Sequence, residues 1–260
     1  MAKADPLAAG LALPDKPSIA VLPFRNMSDD TAQEYFADGM VEDIITALSR
    51  FKSLFVVARN SSFAYKGKSV DARRAGQALG VRYILEGSVR KAGSRVRITA
   101  QLIEAGTGHQ IWADRGDGAL ADVFDLQDQV TAGVVGLLAP TLEQTEIERA
   151  KQKPTGSLDS YDCYLRGMAL MHEQSATLDQ SLAEARAFFV RAFERDPQHA
   201  AAYAQAAWTF LQEQGVSGTP LADASRQEAV KLARTAARLA DDDALVLARS
   251  AHVLADLAHE

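Results

Sequence analysis

The chain has 260 residues, 47% of them hydrophobic and 24% charged, with a formal net charge of −6. That length supports one large domain or two ordinary ones, each with a core of its own. The acidic balance argues against nonspecific nucleic-acid binding, and a single cysteine, Cys163, excludes an intrachain disulfide or a cysteine-based metal cluster.

The apolar run Leu7–Leu13 before Pro14 is too short to span a bilayer and lacks the pattern of a signal peptide. The sequence therefore reads as cytoplasmic and without a membrane segment, with residues 1–16 as a linker. Ser18-Ile-Ala-Val-Leu-Pro-Phe24 suits a buried strand, with Pro23 near its end. Asp29 and Asp30 precede a helix in which Phe36, Met40, Val41, Ile44, Ile45, Leu48 and Phe51 recur at helical spacing. Leu54-Phe-Val-Val-Ala58 reads as a second buried strand. A short helix follows, capped by Ser69 or Asp71 and closed by Gly80.

Between Arg82 and Asp114 the period changes to two. Val96, Ile98, Ala100 and Leu102 alternate with Arg95, Arg97, Thr99 and Gln101, as in a half-buried antiparallel strand. Lys91–Ser94 and Ala105–Gly108 supply the reversals, so three strands form a meander whose arginine-rich face reads as a solvated surface. A last helix from about Asp122 turns Phe124, Val130, Val134 and Leu138 inward. Pro140 kinks or ends it, and a polar helix continues from Leu142 to Lys151. The order β-α-β-α-β-β-β-α predicts an α/β domain with a mixed sheet over residues 17–152.

Composition shifts at Lys151–Ser157, and residues 153–157 read as a linker. Residues 158–260 are rich in alanine, leucine, arginine and glutamate, an all-α pattern. Ala185, Phe189, Ala192, Asp196 and Pro197 have the spacing that ends a tetratricopeptide unit. Tyr203, Ala206, Ala207 and Phe210 fit the start of the next. Ala229, Ala233, Ala236 and Asp241–Asp243 repeat the ending, and Leu247, Ser250, Ala251 and Leu254 begin a third. The interval between Asp196 and Asp241 exceeds the usual 34 residues by about eleven, which an insertion at Gly215–Pro220 accommodates. The first unit starts near Tyr161 and Gly167 and carries an insertion at Gln174–Leu178. The third stops without a solvating cap, as in a truncated array.

Reactive chemistry finds little support. His109 oriented by Asp114 could act as a base, but a strand-end histidine beside a salt bridge is the plainer reading. No serine or cysteine is placed to complete a triad, no Walker A motif occurs, and Gly76 to Gly80 closes a helix instead of cradling a phosphate. The five histidines are scattered, so neither a metal site nor a cofactor is expected. Cys163 and Trp208 read as packing residues. One constellation remains: Arg25, Asn26 and Ser28 after the first strand, and Arg59, Asn60 and Ser61 after the second. Parallel pairing would bring both groups to the carboxyl edge of the sheet, where they could hold an anionic group or a carboxylate-bearing partner. Turn chemistry of Asn and Ser, with the arginines paired to Glu34 or Asp38, is the plainer account, and the one favoured.

Pro17–Phe24, Glu34-Tyr-Phe-Ala-Asp-Gly39, Glu42–Ser49, Leu85-Glu-Gly-Ser-Val-Arg90 and Trp112-Ala-Asp-Arg115 together carry a family resemblance. Residues 17 to about 150 resemble the TolB amino-terminal-like domain of bacterial multidomain signalling proteins, which often precedes tetratricopeptide repeats. In that family the region commonly lies downstream of a class III adenylate or guanylate cyclase domain. Less often it follows a winged-helix DNA-binding domain and a membrane helix. The family has an aromatic and an acid before glycine after the Trp-Ala-Asp-Arg block, whereas this chain has Gly116-Asp117 where the turn after the last strand is expected.

The resemblance implies a non-catalytic regulatory module of a cyclase-type signalling protein, without cyclase activity of its own. It would act through a protein partner or peptide in the helical-repeat groove, or by self-association. The alternative it implies is an extracytoplasmic, periplasmic sensory domain of a membrane-bound winged-helix transcription regulator.

Overall fold

A computed structural model describes residues 13–14, 16–28, 33–92, 95–119, 123–154, 156, 158–172 and 178–258. Several expectations fall outside them: most of the 1–16 linker, Asp29 and Asp30, part of the reversal at Lys91–Ser94, the helix start at Asp122, parts of the 153–157 linker and the insertion at 174–177. The side chains of Phe124 and Val130 also lie outside. The chain divides into two compact units, residues 1–143 and 144–260.

The first unit is α/β. Its described strands are β1 (Ser18–Val21), β2 (Arg25–Asn26), β3 (Phe55–Val56), β4 (Tyr83–Ala92), β5 (Arg95–Glu104) and β6 (His109–Ala119). They form one mixed sheet in the order β3-β1-β4-β5-β6, with β2 also on β4. β1 pairs in parallel with both β3 and β4, whereas β4, β5 and β6 form the antiparallel meander. Alternation sends Tyr83, Leu85, Val89, Val96, Ile98, Ala100 and Leu102 to one face. There they bury against α1 (Gln33–Leu48) and the first half of α4 (Val123–Gln152). Phe36, Met40, Val41, Ile44, Ile45 and Leu48 supply the α1 side, as their spacing predicts. On the opposite face, α3 (Ala72–Leu79) covers Ala20, Leu22 and Ile84 with Ala75. Asp71 caps this helix by accepting from the Arg73 amide at 2.9 Å, and Gly80 closes it with φ of 65°.

Four elements depart from the sequence pattern. β1 stops at Val21, and Arg25–Asn26 forms a separate strand, because Pro23 has no amide to give to the ladder. The second strand shrinks to Phe55–Val56, and Arg59–Phe63 forms the one-turn helix α2. The last meander strand does not turn after Arg115: Gly116 and Asp117 lie inside β6, opposite Ile98 and Arg97. Pro140 does not end α4, which runs on to Gln152.

The second unit is helical, with α5 (Ser160–His172), α6 (Leu178–Arg195), α7 (Ala200–Ser217), α8 (Asp223–Leu239) and α9 (Ala244–Leu257). Small residues set how closely these helices approach. Ala185, Ala192, Ala206, Ala207, Ala229 and Ala233 are completely buried, and a Cβ on Gly167 would come within 2.4 Å of the Phe189 ring. The residues of α4 beyond the division also belong to this unit, through Ile147 and Ala150. An ionic network ties them to α5. The Arg166 guanidinium donates to the carbonyls of Ala150 (2.8 Å), Lys151 (3.0 Å) and Lys153 (2.6 Å), satisfying the last turn of α4. Asp159 and Asp162 cap α5 reciprocally, each accepting from the other's backbone amide at 2.7 and 3.1 Å. Buried Asp162 also accepts from Lys153 Nζ, and Arg149 lies 3.6 Å away.

Burial works to raise the Asp162 pKa, but the hydrogen bonds from Lys153 and Asp159 and the Lys153 charge outweigh it. The carboxyl is held below its ordinary value. Its stabilisation is therefore complete above the unfolded carboxyl pKa of about 3.9 and is lost as pH falls through the lower folded value. Asp162→Ala should cost roughly 2–3 kcal/mol at pH 7, at or below the fully buried case because Lys153 and Arg149 are partly exposed. Urea titrations at pH 7 and pH 3 check this: the deficit should narrow at the lower pH, and an equal deficit at both would contradict the ionic account.

Candidate functional site

The open face of the first unit owes its chemistry to an irregularity beside Pro23. Both β1 and β2 pair in parallel with the same edge of β4, Val21 opposite Leu85 and Arg25 opposite Ser88. Four residues on one strand therefore match three on the other (25 − 21 against 88 − 85), which is a bulge of one residue. The extra residue reverses the alternation. Phe24 turns into the core, where its ring packs over Gly87, and Arg25 emerges on the face that α3 leaves uncovered.

On that face the strand registers assemble rows. Arg25, Ser88, Thr99 and Arg115 form one row across β2, β4, β5 and β6, and Glu86, Gln101 and Ala113 form the next. Ser88 and Thr99 share a hydrogen bond of 2.7 Å between their hydroxyls, and Gln101 Nε2 donates to Glu86 Oε1. With Leu22, Tyr65 and Val70 as an apolar wall, these residues line an open cleft of about 1160 Å³. Lys66 and Lys68 stand at its rim. Lys66 is engaged by Asp38 and, at 3.7 Å, by Glu34.

Of the six residues singled out in the sequence, Arg25 and Asn26 line this cleft, whereas Ser28, Arg59, Asn60 and Ser61 are not among its lining residues. Asn26 Oδ1 accepts from the Ser28 amide at 2.9 Å in a local turn, and Ser28 Oγ accepts from the Lys91 amide at 2.8 Å, which fastens the chain after β2 to the meander. Arg59 lies 3.2 Å from Glu42 and stacks over Phe63, with its Cζ 3.9 Å from the ring centroid. The arginines do not pair with Glu34 or Asp38, which take Lys66 instead. The sequence reading missed Ser88, Thr99 and Arg115 because it took the polar face of the meander for bare solvated surface. The signal was present in the alternation, but the wall opposite was not visible.

His109 and Asp114 lie opposite Glu104 and Ala100, four residues apart along β5, so Asp114 does not orient the histidine. His109 begins β6 at an exposed position, its amide accepted by Thr107 Oγ1 at 3.1 Å. Asp117 accepts two hydrogen bonds from Arg97, at 2.7 and 3.2 Å, and these hold its carboxyl below the ordinary range. Burial raises the Cys163 thiol pKa, with Arg195 and Arg191 opposing. Among the described residues no cluster of ligands could hold a metal ion, and no helix is long and apolar enough to cross a membrane.

Comparison with known proteins adds three kinds of likeness. Residues 15–132 match the family described as HilA/YgeH-like transcriptional regulator, second domain. Over 192 residues the chain is 50% identical to "Putative adenylate cyclase 3" of Rhizobium meliloti (strain 1021), covering 74% of this chain and 32% of that protein. The chain thus spans about a third of the length of the curated relative it matches. Among solved structures it is similar to lipoprotein GNA1162 of Neisseria meningitidis, at 21% identity and a TM-score of 0.36, covering 47% of this chain and 96% of the other. It is similar also to TolB of Acinetobacter baumannii, at 17% identity and a TM-score of 0.34, covering 49% and 29%.

If the row on the open face serves binding and not folding, its arginines should be dispensable for stability. Arg25→Gln and Arg115→Gln should each change the unfolding free energy by less than about 0.5 kcal/mol. Gly87→Ala should cost about 1–3 kcal/mol, since its Cβ would meet the Thr99 carbonyl oxygen at 2.4 Å and the Phe24 ring at 2.8 Å. Urea denaturation of the three variants separates the roles, and comparable losses in all three would mark the arginines as structural.

Proposed function

We propose that this chain is a non-catalytic regulatory and protein-interaction region of a bacterial cyclase-type signalling protein. In this reading residues 17–152 are a TolB amino-terminal-like domain, and residues 158–260 are tetratricopeptide-like repeats. The observation that carries the reading is the 50% identity, over 74% of this chain, to a protein named as an adenylate cyclase, of which it matches only 32%. A segment of that extent leaves room in the relative for a separate catalytic domain. The region would act in the cytoplasm by binding a partner or by self-association, with the helical unit offering a groove for a peptide or partner helix.

A second reading, the extracytoplasmic sensory domain of a membrane-bound winged-helix regulator, draws support from the family match over residues 15–132. The two differ in what the parent gene encodes upstream: a cyclase domain, or a DNA-binding domain followed by a membrane helix.

Two measurements test the leading reading. The purified chain should form no cyclic nucleotide from ATP or GTP, and turnover by the chain itself would overturn it. Excising the matching segment from the Rhizobium meliloti relative should change cyclic nucleotide output several-fold while the remaining protein stays folded. An unchanged output would remove the regulatory role.

A further inference from the structure

The row across the open face places one arginine on each side of a pair of hydroxyls. Neighbouring strands lie about 4.8 Å apart, so the midpoint between Ser88 and Thr99 is roughly 7 Å from the Cα of Arg25 on one side and of Arg115 on the other. An extended arginine spans that distance. Arg25 is exposed and makes no ion pair with the described residues, and Arg115 approaches Asp117 only at 4.0 Å, because Arg97 already occupies that carboxylate. The Ser88–Thr99 hydrogen bond uses one of the two hydroxyl protons and leaves the other to donate outward. Lys66, spent on Asp38 and Glu34, adds no free charge.

An anion above the hydroxyl pair would thus receive charge-assisted donors from two opposite sides and a neutral donor from below. A tetrahedral phosphate, with oxygens in several directions, fits that arrangement better than a planar carboxylate. The next row adds a condition. Glu86 lies two residues along β4 from Ser88, about 7 Å away, and would repel a bare anion. It suits a ligand that places a hydroxyl donor one ring's width from its phosphate. The open cleft, at about 1160 Å³, is somewhat larger than most small-molecule sites, which run to roughly 1,000 Å³.

We propose that this cleft is a binding site for a small phosphorylated polyol, such as a sugar phosphate or the ribose phosphate of a nucleotide. Arg25 and Arg115 clamp the phosphate over Ser88 and Thr99, and Glu86 accepts from a hydroxyl. The site needs only the first unit's sheet and does not rest on the cyclase reading, so its failure would leave the cyclic nucleotide experiments unaffected.

Calorimetric titration of the whole 260-residue chain with ribose 5-phosphate, inorganic phosphate and ribose tests it. Ribose 5-phosphate should bind, inorganic phosphate more weakly, and ribose not detectably. Arg25→Gln and Arg115→Gln should each weaken ribose 5-phosphate about tenfold or more at unchanged thermal midpoint. Glu86→Gln should narrow the preference for ribose 5-phosphate over inorganic phosphate. No binding of ribose 5-phosphate up to about 10 mM, or an affinity unaltered in both arginine variants, would overturn the proposal. Equal affinity for phosphate and ribose 5-phosphate would do the same, by reducing the site to an unspecific anion patch.

Discussion

Strand β4 is hydrogen-bonded along both edges, and the rest of the first unit depends on how it meets two kinds of neighbour. One edge receives β5 in antiparallel register over its full length, while the other takes β1 and then β2 in parallel. A single uninterrupted strand from Ser18 to Asn26 would keep one alternation throughout and carry Arg25 to the same face as Val21, the buried one. The one-residue offset at Leu22–Phe24 prevents this. Pro23 cannot donate to the ladder, the chain bulges, and Phe24 instead of Arg25 enters the core. Gly87 is the counterpart on β4, since only a residue without Cβ lets the Phe24 ring lie against the strand.

The open face is apolar at one end and polar at the other. α3 packs on Ala20, Leu22 and Ile84. Glu86 and Ser88 continue that face beyond the helix and must satisfy their polar groups by other means. They do so laterally, Glu86 with Gln101 and Ser88 with Thr99, cross-strand pairs that do not draw on the flanking arginines.

Much of this was legible in the sequence. The period of 3.6 in α1, the period of two in β5 and the cap and stop signals of α3 all describe local geometry, which a pattern of residue types encodes directly. Parallel pairing of β1 with β3 followed from the helix between them. The position of Arg25 relative to Ser88 was not legible, because a bulge depends on the register between segments 63 residues apart (88 − 25). The end of the last meander strand was not legible for a related reason: pairing with Ile98 and Arg97 holds Gly116 and Asp117 extended, past the point where the family resemblance puts a turn. The placement of Arg59 on a one-turn helix, facing Glu42 and Phe63, likewise came from tertiary contacts.

In the helical unit, the groups with most chemical potential are taken up by packing and hydrogen bonds. Ser160 Oγ donates to the Ala192 carbonyl at 2.8 Å, so its contact of 2.8 Å with His199 Nδ1 requires the imidazole to be the donor. That arrangement leaves the serine proton on a carbonyl and not on a base. Burial depresses the His199 pKa, only partly opposed by Asp196, and favours the neutral ring that packs against Tyr164 at 5.2 Å. Burial likewise keeps the Cys163 thiol protonated. An imidazole of lowered basicity whose Nδ1 proton goes to Ser160, a hydroxyl already donating and a thiol without thiolate character contribute shape and directed hydrogen bonds. They position the helices of this unit against one another.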